Sequence, residues 1–491
     1  MKNFFTLMTL LAICSTSLQA QWVSKASGFS TPQRGINELI AVNSNVAWAA
    51  DYDAVNPISA PITEFTITTD GGKHWMAGSI SEFPDYYLLG IAPLSATLCY
   101  ASISNLDNGN AKVVKTSDGG ATWTAQLNYD FLPGNFNFFS DIYFFNANEG
   151  LAYGDQSDGY FTIFTTSDGG NNWTRVPQAN MPASIAPDEA SYTLSAEGIG
   201  NTFWTVSTAG RIWKTTDKGL HWNAYQSSET SIDFSNLKMR DAQHGLWGVH
   251  DELYRTNDGG ITWNEITPTG NWFTDDLAYV PGTAATFVST GGNDFTGYGV
   301  LHGTGSSYSL DDGDTWITLD TGVEHLSLAM VNSFTGFTGG INTNSSIGGI
   351  YVYNGPALGY ACENNKTKIC YHGQSLCVAH GAIKSLLNHG GTLGDCDGEK
   401  VSQTQEGNAM TVSPNPMSEL SVINFDLAAE ENVLLQIFDV SGRLIATLAD
   451  EAMSAGDHNL QWNAADVNSG IYFLKMEAGE YSATEKISII K

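Results

Sequence analysis

One eight-residue string limits this chain more than any other feature. "TTDGGKHW" (68–75) returns as "TSDGGATW" (116–123), "TSDGGNNW" (166–173), "TTDKGLHW" (215–222), "TNDGGITW" (256–263) and "SLDDGDTW" (309–316). In the form polar-x-Asp-x-Gly-x-x-Trp it sets Asp70, Asp118, Asp168, Asp217, Asp258 and Asp311 at steps of 48, 50, 49, 41 and 53 residues, about 48 on average. A period of that size signals a propeller or a related repeat array. The spelling follows from turn chemistry. Asp accepts hydrogen bonds from backbone N–H groups of its own turn, and Gly takes a positive φ that other residues resist. The leading Thr or Ser ends the incoming strand. Trp75, Trp123, Trp173, Trp222, Trp263 and Trp316 open the outgoing strands, where each ring is expected to be buried between neighbouring sheets.

Between these turns the text reads as strands. "NELIAVNSNVAWAAD" (37–51), "FSDIYFFNANEGLAYGD" (139–155) and "FSNLKMRDAQHGLWGVHDELYRTND" (234–258) share one plan. Each has an apolar strand, a polar turn, a small-residue strand and a third strand running into the Asp turn; the Trp opens a fourth. Four strands per repeat make a propeller blade. The segment 325–355 repeats the plan without the Asp turn and lacks its fourth strand. "QWVSKASGF" (21–29) begins with Trp22 like a post-turn strand, so the start of the mature chain is expected to complete the last blade. Sharing residues 22–355 among seven blades gives about 48 each. The expectation is an all-β chain: a seven-bladed β-propeller, a small Cys-rich insert and a C-terminal β-sandwich.

Composition agrees. The chain has 491 residues, 51 of them Gly, and 42% hydrophobic residues, enough for several cores. Its net charge of −30 makes nucleic acid an unsuitable partner, since phosphates would be repelled. Lys2 followed by "FFTLMTLLAIC", with "SLQA" before Gln21, has the form of a signal peptide over residues 1–20. Cys14 follows bulky Ile13 where a lipobox wants a small residue, so simple cleavage near Ala20 is expected. That apolar run is short for a membrane span, and no later segment resembles one.

The repeats resemble the Asp-box, or bacterial neuraminidase, repeat. The unit resembles the seven-bladed propellers of the photosystem II assembly-factor and sortilin-like kind. That resemblance implies structural Asp boxes at the blade periphery. It does not imply a sialidase: Arg34, Arg175, Arg211, Arg240 and Arg255 are the arginines of the region, and three of them sit beside boxes, so no carboxylate-binding triad assembles. A glycosidase needs two carboxylates at the channel mouth. Aligning the innermost strands ("ELIAVN", "DIYFFN", "DLAYVP") puts Glu38, Asp141 and Asp276 at one position, with Asn236 equivalent. These are the candidate catalytic residues; the plainer account, a solvated acidic rim, is preferred. No Ser-His-Asp set, phosphate loop or nucleotide fingerprint is present, and no cofactor is implied.

Residues 358–398 hold Cys362, Cys370, Cys377 and Cys396. An even count in an exported segment too small for its own core points to two disulfides, with three pairings open. His372, His380 and His389 interleave with them, but their spacing matches no zinc pattern, and no metal is expected. Cys99 reads as a buried free thiol, and "HGAIKSLLNHG" as a short helix. A polar linker follows (399–411), then alternating strands over 412–491. "SPNP" (413–416), "DVSGR" (439–443), "SGIYFLK" (469–475) and "EKISIIK" (485–491) resemble the type A sorting domain of type IX secretion. The resemblance implies a cleavable sandwich, partners in the secretion machinery and its sorting protease, and a secreted or surface-attached cargo. The propeller (21–357) is then read as a module for an unknown protein or glycan ligand. The alternative is a glycoside hydrolase using the channel carboxylates.

Overall fold

Seven antiparallel sheets of four strands form along the chain, the sixth extended by a short parallel strand, Thr269–Gly270. In this computed structural model, residues 21–491 are described except for 56–60, 132–137, 233–234, 293–302, 363–365, 395, 397–410, 414–419, 428–430, 440–442, 454–455, 465–466, 469, 479–480 and 490–491. The leader read at 1–20 lies outside the described residues. The innermost strands are Arg34–Ala41, Tyr87–Pro93, Phe139–Phe144, Ser191–Ile199, Ser235–Met239, Asp276–Tyr279 and Leu328–Asn332. Each touches the next, and the seventh touches the first, so the sheets are blades around a closed ring.

The seam lies where the sequence places it. Strand Trp22–Ala26 pairs antiparallel with Ile347–Tyr353, Trp22 opposite Tyr353 and Ala26 opposite Gly349. Strand Trp22–Ala26 is therefore the outermost strand of blade 7. A bridge from Gly35 to Ile341 then ties blade 1 to blade 7.

All six Asp turns share one hydrogen-bond scheme, here in its first copy. The Thr68 hydroxyl donates to Asp70 Oδ1 at 3.0 Å and accepts from the Gly72 N–H at 2.9 Å. The His74 N–H donates to Asp70 Oδ1 at 3.0 Å, and His74 Nδ1 lies 2.6 Å from Oδ2. Thr122, Asn172, His221, Thr262 and Thr315 take the His74 role elsewhere. The leading hydroxyl thus does more than end a strand: it anchors the turn. Gly120 shows why glycine is needed at its position. Its φ is +86°, and a Cβ there would stand 2.3 Å from the Phe65 ring of the preceding blade.

The indoles pack between blades. Trp123 of blade 2 meets Trp48 and Phe65 of blade 1, with centroids 6.5 and 5.6 Å away. Trp75 of blade 1 meets Phe337 of blade 7 edge-on at 5.9 Å. Trp222 joins Leu151 and Phe161 of blade 3, and Trp316 joins Leu246 and Leu253 of blade 5. These four are buried, whereas Trp173 and Trp263 are half-buried.

Beyond the ring, strands Lys366–Tyr371 and Gln374–Val378 pack with the helix His380–Asn388. Cys370 and Cys396 form a disulfide, and Cys377 is also disulfide-bonded; the Cys362 side chain lies outside the described residues. Cys99 is buried and free. In the last domain, Thr411–Ser413, Leu420–Leu427 and Gly456–Asn463 form one sheet. Glu431–Asp439, Leu444–Met453, Gly470–Ala478 and Tyr481–Ile489 form the other. Phe425 and Trp462 from the first meet Leu435, Leu474 and Ile487 from the second in one core, the arrangement of a sandwich. The Asp-x-x-x-Arg spacing of "DVSGR" closes its hairpin: the Arg443 N–H and Nε donate to the Asp439 carboxylate at 3.1 and 3.0 Å.

Candidate functional site

The channel carboxylates come from the innermost strands, and local irregularities aim two of them. The ladder of blade 1 slips between Ile36 and Glu38, and that of blade 3 between Phe139 and Asp141. A bulge re-aims the residue beside it. Glu38 Oε2 accepts from the Ile91 N–H of blade 2 at 2.8 Å. Asp276 Oδ2 accepts from the Leu328 N–H of blade 7 at 2.8 Å. Asn236 donates to the Thr274 and Asp275 carbonyls of blade 6 at 2.8 and 2.9 Å. Three of the four aligned positions therefore staple one blade to the next. Asp141 differs: its carboxylate accepts from its own strand, the Ile142 N–H, at 2.7 Å.

Two residues absent from the sequence reading complete the channel. Lys238 stands two residues after Asn236, hence on the same strand face, and its Nζ lies 3.7 Å from Glu197 Oε2 of blade 4. Burial opposes the Lys238 charge, but Glu197, Asp276, Glu38 and Asp141 outweigh it and raise its pKa. Glu38 is pushed well above the carboxylate range by burial and then by the Asp141 charge. Burial lifts Asp141 to about 7 and also raises Glu197 and Asp276. Rather than a solvated rim, these are half-buried or buried groups arranged about one internal cation.

A pH dependence follows. Raised folded pKa values mean that the native state binds protons more tightly than the unfolded chain, so stability is lost as pH rises from the unfolded carboxylate range through about 7. The box aspartates act oppositely. Backbone and side-chain hydrogen bonds from His74 hold Asp70 at about 2, and those from Thr122 hold Asp118 there too. Their contribution is present above the unfolded value and lost as pH falls toward about 2. Thermal unfolding followed by circular dichroism should show a maximum in Tm between about pH 4 and 6. A Tm still climbing at pH 8 would contradict it.

Connections divide unevenly between the two faces. The Asp turns and short links such as 94–98 and 145–149 share one face. Of the described residues, 54–55, 61–63, 131, 138, 176–190, 292 and 303–304 belong to the other. Between blades 3 and 4 that second face holds a cleft of about 650 Å3, lined among others by Phe138, Asp155, Asp158, Asp188, Glu189 and Tyr192. Its wall is the 176–190 connection, fastened by a buried pair: Arg211 Nη1 lies 3.0 Å from Glu189 Oε2 and donates to the Ala183 carbonyl at 3.0 Å. Among the described residues no group of three or more His, Cys, Asp or Glu side chains could hold a metal ion, and no helix is long and apolar enough to cross a membrane.

Comparison with known proteins gives two family matches. Residues 105–274 match the Photosynthesis system II assembly factor YCF48 family, and residues 411–491 match the Secretion system C-terminal sorting domain. A xyloglucanase of Paenibacillus sp is 23% identical over 309 residues, covering 57% of this chain and 28% of that protein. The chloroplastic photosystem II stability/assembly factor HCF136 of Arabidopsis thaliana is 24% identical over 173 residues, covering 35% of this chain and 39% of its own. The chain thus spans well under half the length of these relatives. The solved structure of YCF48 from Cyanidioschyzon merolae aligns with a TM-score of 0.49 at 15% identity, over 68% of this chain and 99% of that one. The chain is accordingly an Asp-box β-propeller, similar over residues 105–274 to the YCF48 family, joined to a secretion sorting domain at residues 411–491, and so a secreted or surface-attached protein.

Proposed function

We propose that the propeller is a binding module, presenting its loop-rich face to a protein or glycan ligand outside the cell. One observation carries this reading: the Glu38 and Asp276 carboxylates each accept a backbone N–H of the adjacent blade at 2.8 Å. A glycosidase needs one carboxyl to protonate the leaving group and another to attack or activate water. Two of the three candidates here are engaged in holding the ring together, and Lys238 neutralises the space between them. The xyloglucanase similarity and Asp141 favour hydrolysis as a second reading. Asp141 makes no bond to the next blade, and burial lifts it to about 7, as suits a general acid.

The test is a panel of polysaccharides, oligosaccharides and surface proteins assayed with the full secreted chain for both binding and release of reducing ends. Saturable binding without turnover is expected, unchanged in Asp141→Asn. Hydrolysis that disappears in Glu38→Gln or Asp141→Asn would establish the enzyme instead.

A further inference from the structure

We propose that the outward face of the sheet Glu431–Asp439, Leu444–Met453, Gly470–Ala478 and Tyr481–Ile489 docks onto a protein of the export machinery that presents an apolar patch rimmed by carboxylates. The inference rests on residues 411–491 directing export. Successive side chains of a strand point to opposite faces. Val433, Leu435 and Ile437, with Tyr472, Leu474 and Met476 of the neighbouring strand, point inward and fill the sandwich core. Phe438, Ile471 and Phe473 therefore point outward. The ladder sets Phe438 between Leu444 on one side and Phe473 on the other. Leu444, Ile471 and Phe473 remain 47, 46 and 37% exposed in the full chain, and Phe438 is half-buried. Single exposed apolar residues are ordinary, but a contiguous row of them marks a contact surface.

Charge narrows the partner. Residues 411–491 hold 12 Asp and Glu against 4 Lys and Arg, so a basic patch here runs against the composition. Yet the apolar row ends on Lys486, opposite Phe473, and Lys475 stands beside Gln436 one row over. The two rows, Leu444–Phe438–Phe473–Lys486 and Thr447–Gln436–Lys475–Thr484, contain no carboxylate. A surface with apolar side chains and carboxylates complements both features. A second copy of this chain fits less well, because a two-fold contact repeats one patch on both sides and brings two sets of lysines together. An anionic lipid surface fits less well too, since its recognition takes clusters of about four to eight Lys or Arg. The row also comes from the stretches by which the sequence identifies the domain. Leu444 follows "DVSGR", Ile471, Phe473 and Lys475 lie in "SGIYFLK", and Lys486 lies in "EKISIIK". The core accounts for the inward residues of those stretches; docking accounts for the outward ones.

The experiment measures the extracellular yield of the full chain in a host that secretes the parent protein, with thermal melts of each purified chain. Leu444→Ser/Phe473→Ser should lower the yield by about tenfold or more. Both side chains are already exposed, so the melt of the sandwich should match the parent's. Lys475→Glu/Lys486→Glu leaves the apolar row in place and should lower the yield as well. The control Met76→Ser/Ile317→Ser removes exposed apolar side chains from outer strands of the propeller and should be exported normally. Normal export of both face variants, with removal of 411–491 still abolishing export, overturns the docking surface and leaves the sorting role intact. Normal export of the truncated chain overturns both. If the serine variant unfolds the sandwich, the charge-reversed chain decides, and its normal export overturns the proposal. An equal loss in the control overturns the site. Binding of the parent chain to phosphatidylglycerol vesicles that both face variants lose overturns the protein partner in favour of a lipid surface. Dimerisation in sedimentation that both face variants lose overturns it in favour of a second copy.

Discussion

Trp22→Ala should destabilise the propeller by about 3–5 kcal/mol, the range for deleting a buried aromatic side chain. Trp22 is 4% exposed, and its ring lies 5.1 Å from Tyr353 and 5.5 Å from His325. Its Nε1 donates to Ser306 Oγ at 2.9 Å, and that hydroxyl donates onward to Asp320 at 2.6 Å. Truncation therefore opens a cavity and removes a donor from a buried chain of hydrogen bonds. Position adds to the effect, because Trp22 heads the strand that closes blade 7. Trp173→Ala is the comparison. That indole is half-buried, and its Nε1 has no hydrogen-bond partner, so its loss should cost less. Urea unfolding of both variants, followed by tryptophan fluorescence and circular dichroism, measures the difference. A Trp22 variant no weaker than the Trp173 variant would remove the special role assigned to the seam.

Removal of residues 411–491 should abolish delivery to the extracellular space. This segment matches the secretion sorting domain and has its own core, in which Ile423, Leu435, Ile437, Leu474, Met476 and Ile487 are fully or almost fully buried. A two-sheet sandwich of this size is marginally stable, at roughly 0.05–0.15 kcal/mol per residue. Leu435→Ala, at a cost of about 2–5 kcal/mol, should therefore unfold a large fraction of it. Among the described residues the propeller contributes nothing to that core, so the truncated chain should keep the propeller's unfolding transition while accumulating inside the cell. Immunoblots of cell and medium fractions, paired with thermal melts, measure both. Unchanged extracellular yield after truncation would defeat the assignment. Normal export of Leu435→Ala would show that a linear signal, rather than a folded surface, is recognised.

Much of this architecture can be read along the chain because its causes are short-range. The Asp turns are eight-residue devices in which hydroxyl, carboxylate and glycine meet within one loop, so their spacing reveals the blade period. The seam could be anticipated because Trp22 in "QWVSK" stands where a Trp stands at the head of every outgoing strand. Even so, the residue before each Trp, such as His74 or Thr122, passed as filler, although it completes the Asp hydrogen bonds.

The channel is another matter. Glu38, Asp141 and Asp276 share a position in the strand pattern, and that pattern shows nothing of what their oxygens accept. Glu197 escaped the alignment because the break between Ser191 and Ala196 shifts its register. Lys238 was visible as a letter, but its partners come from four different blades. A turn is decided by neighbours along the chain. The protonation, pairing and exposure of a channel group are decided by charges on other blades, far apart in sequence and brought close only when the ring shuts.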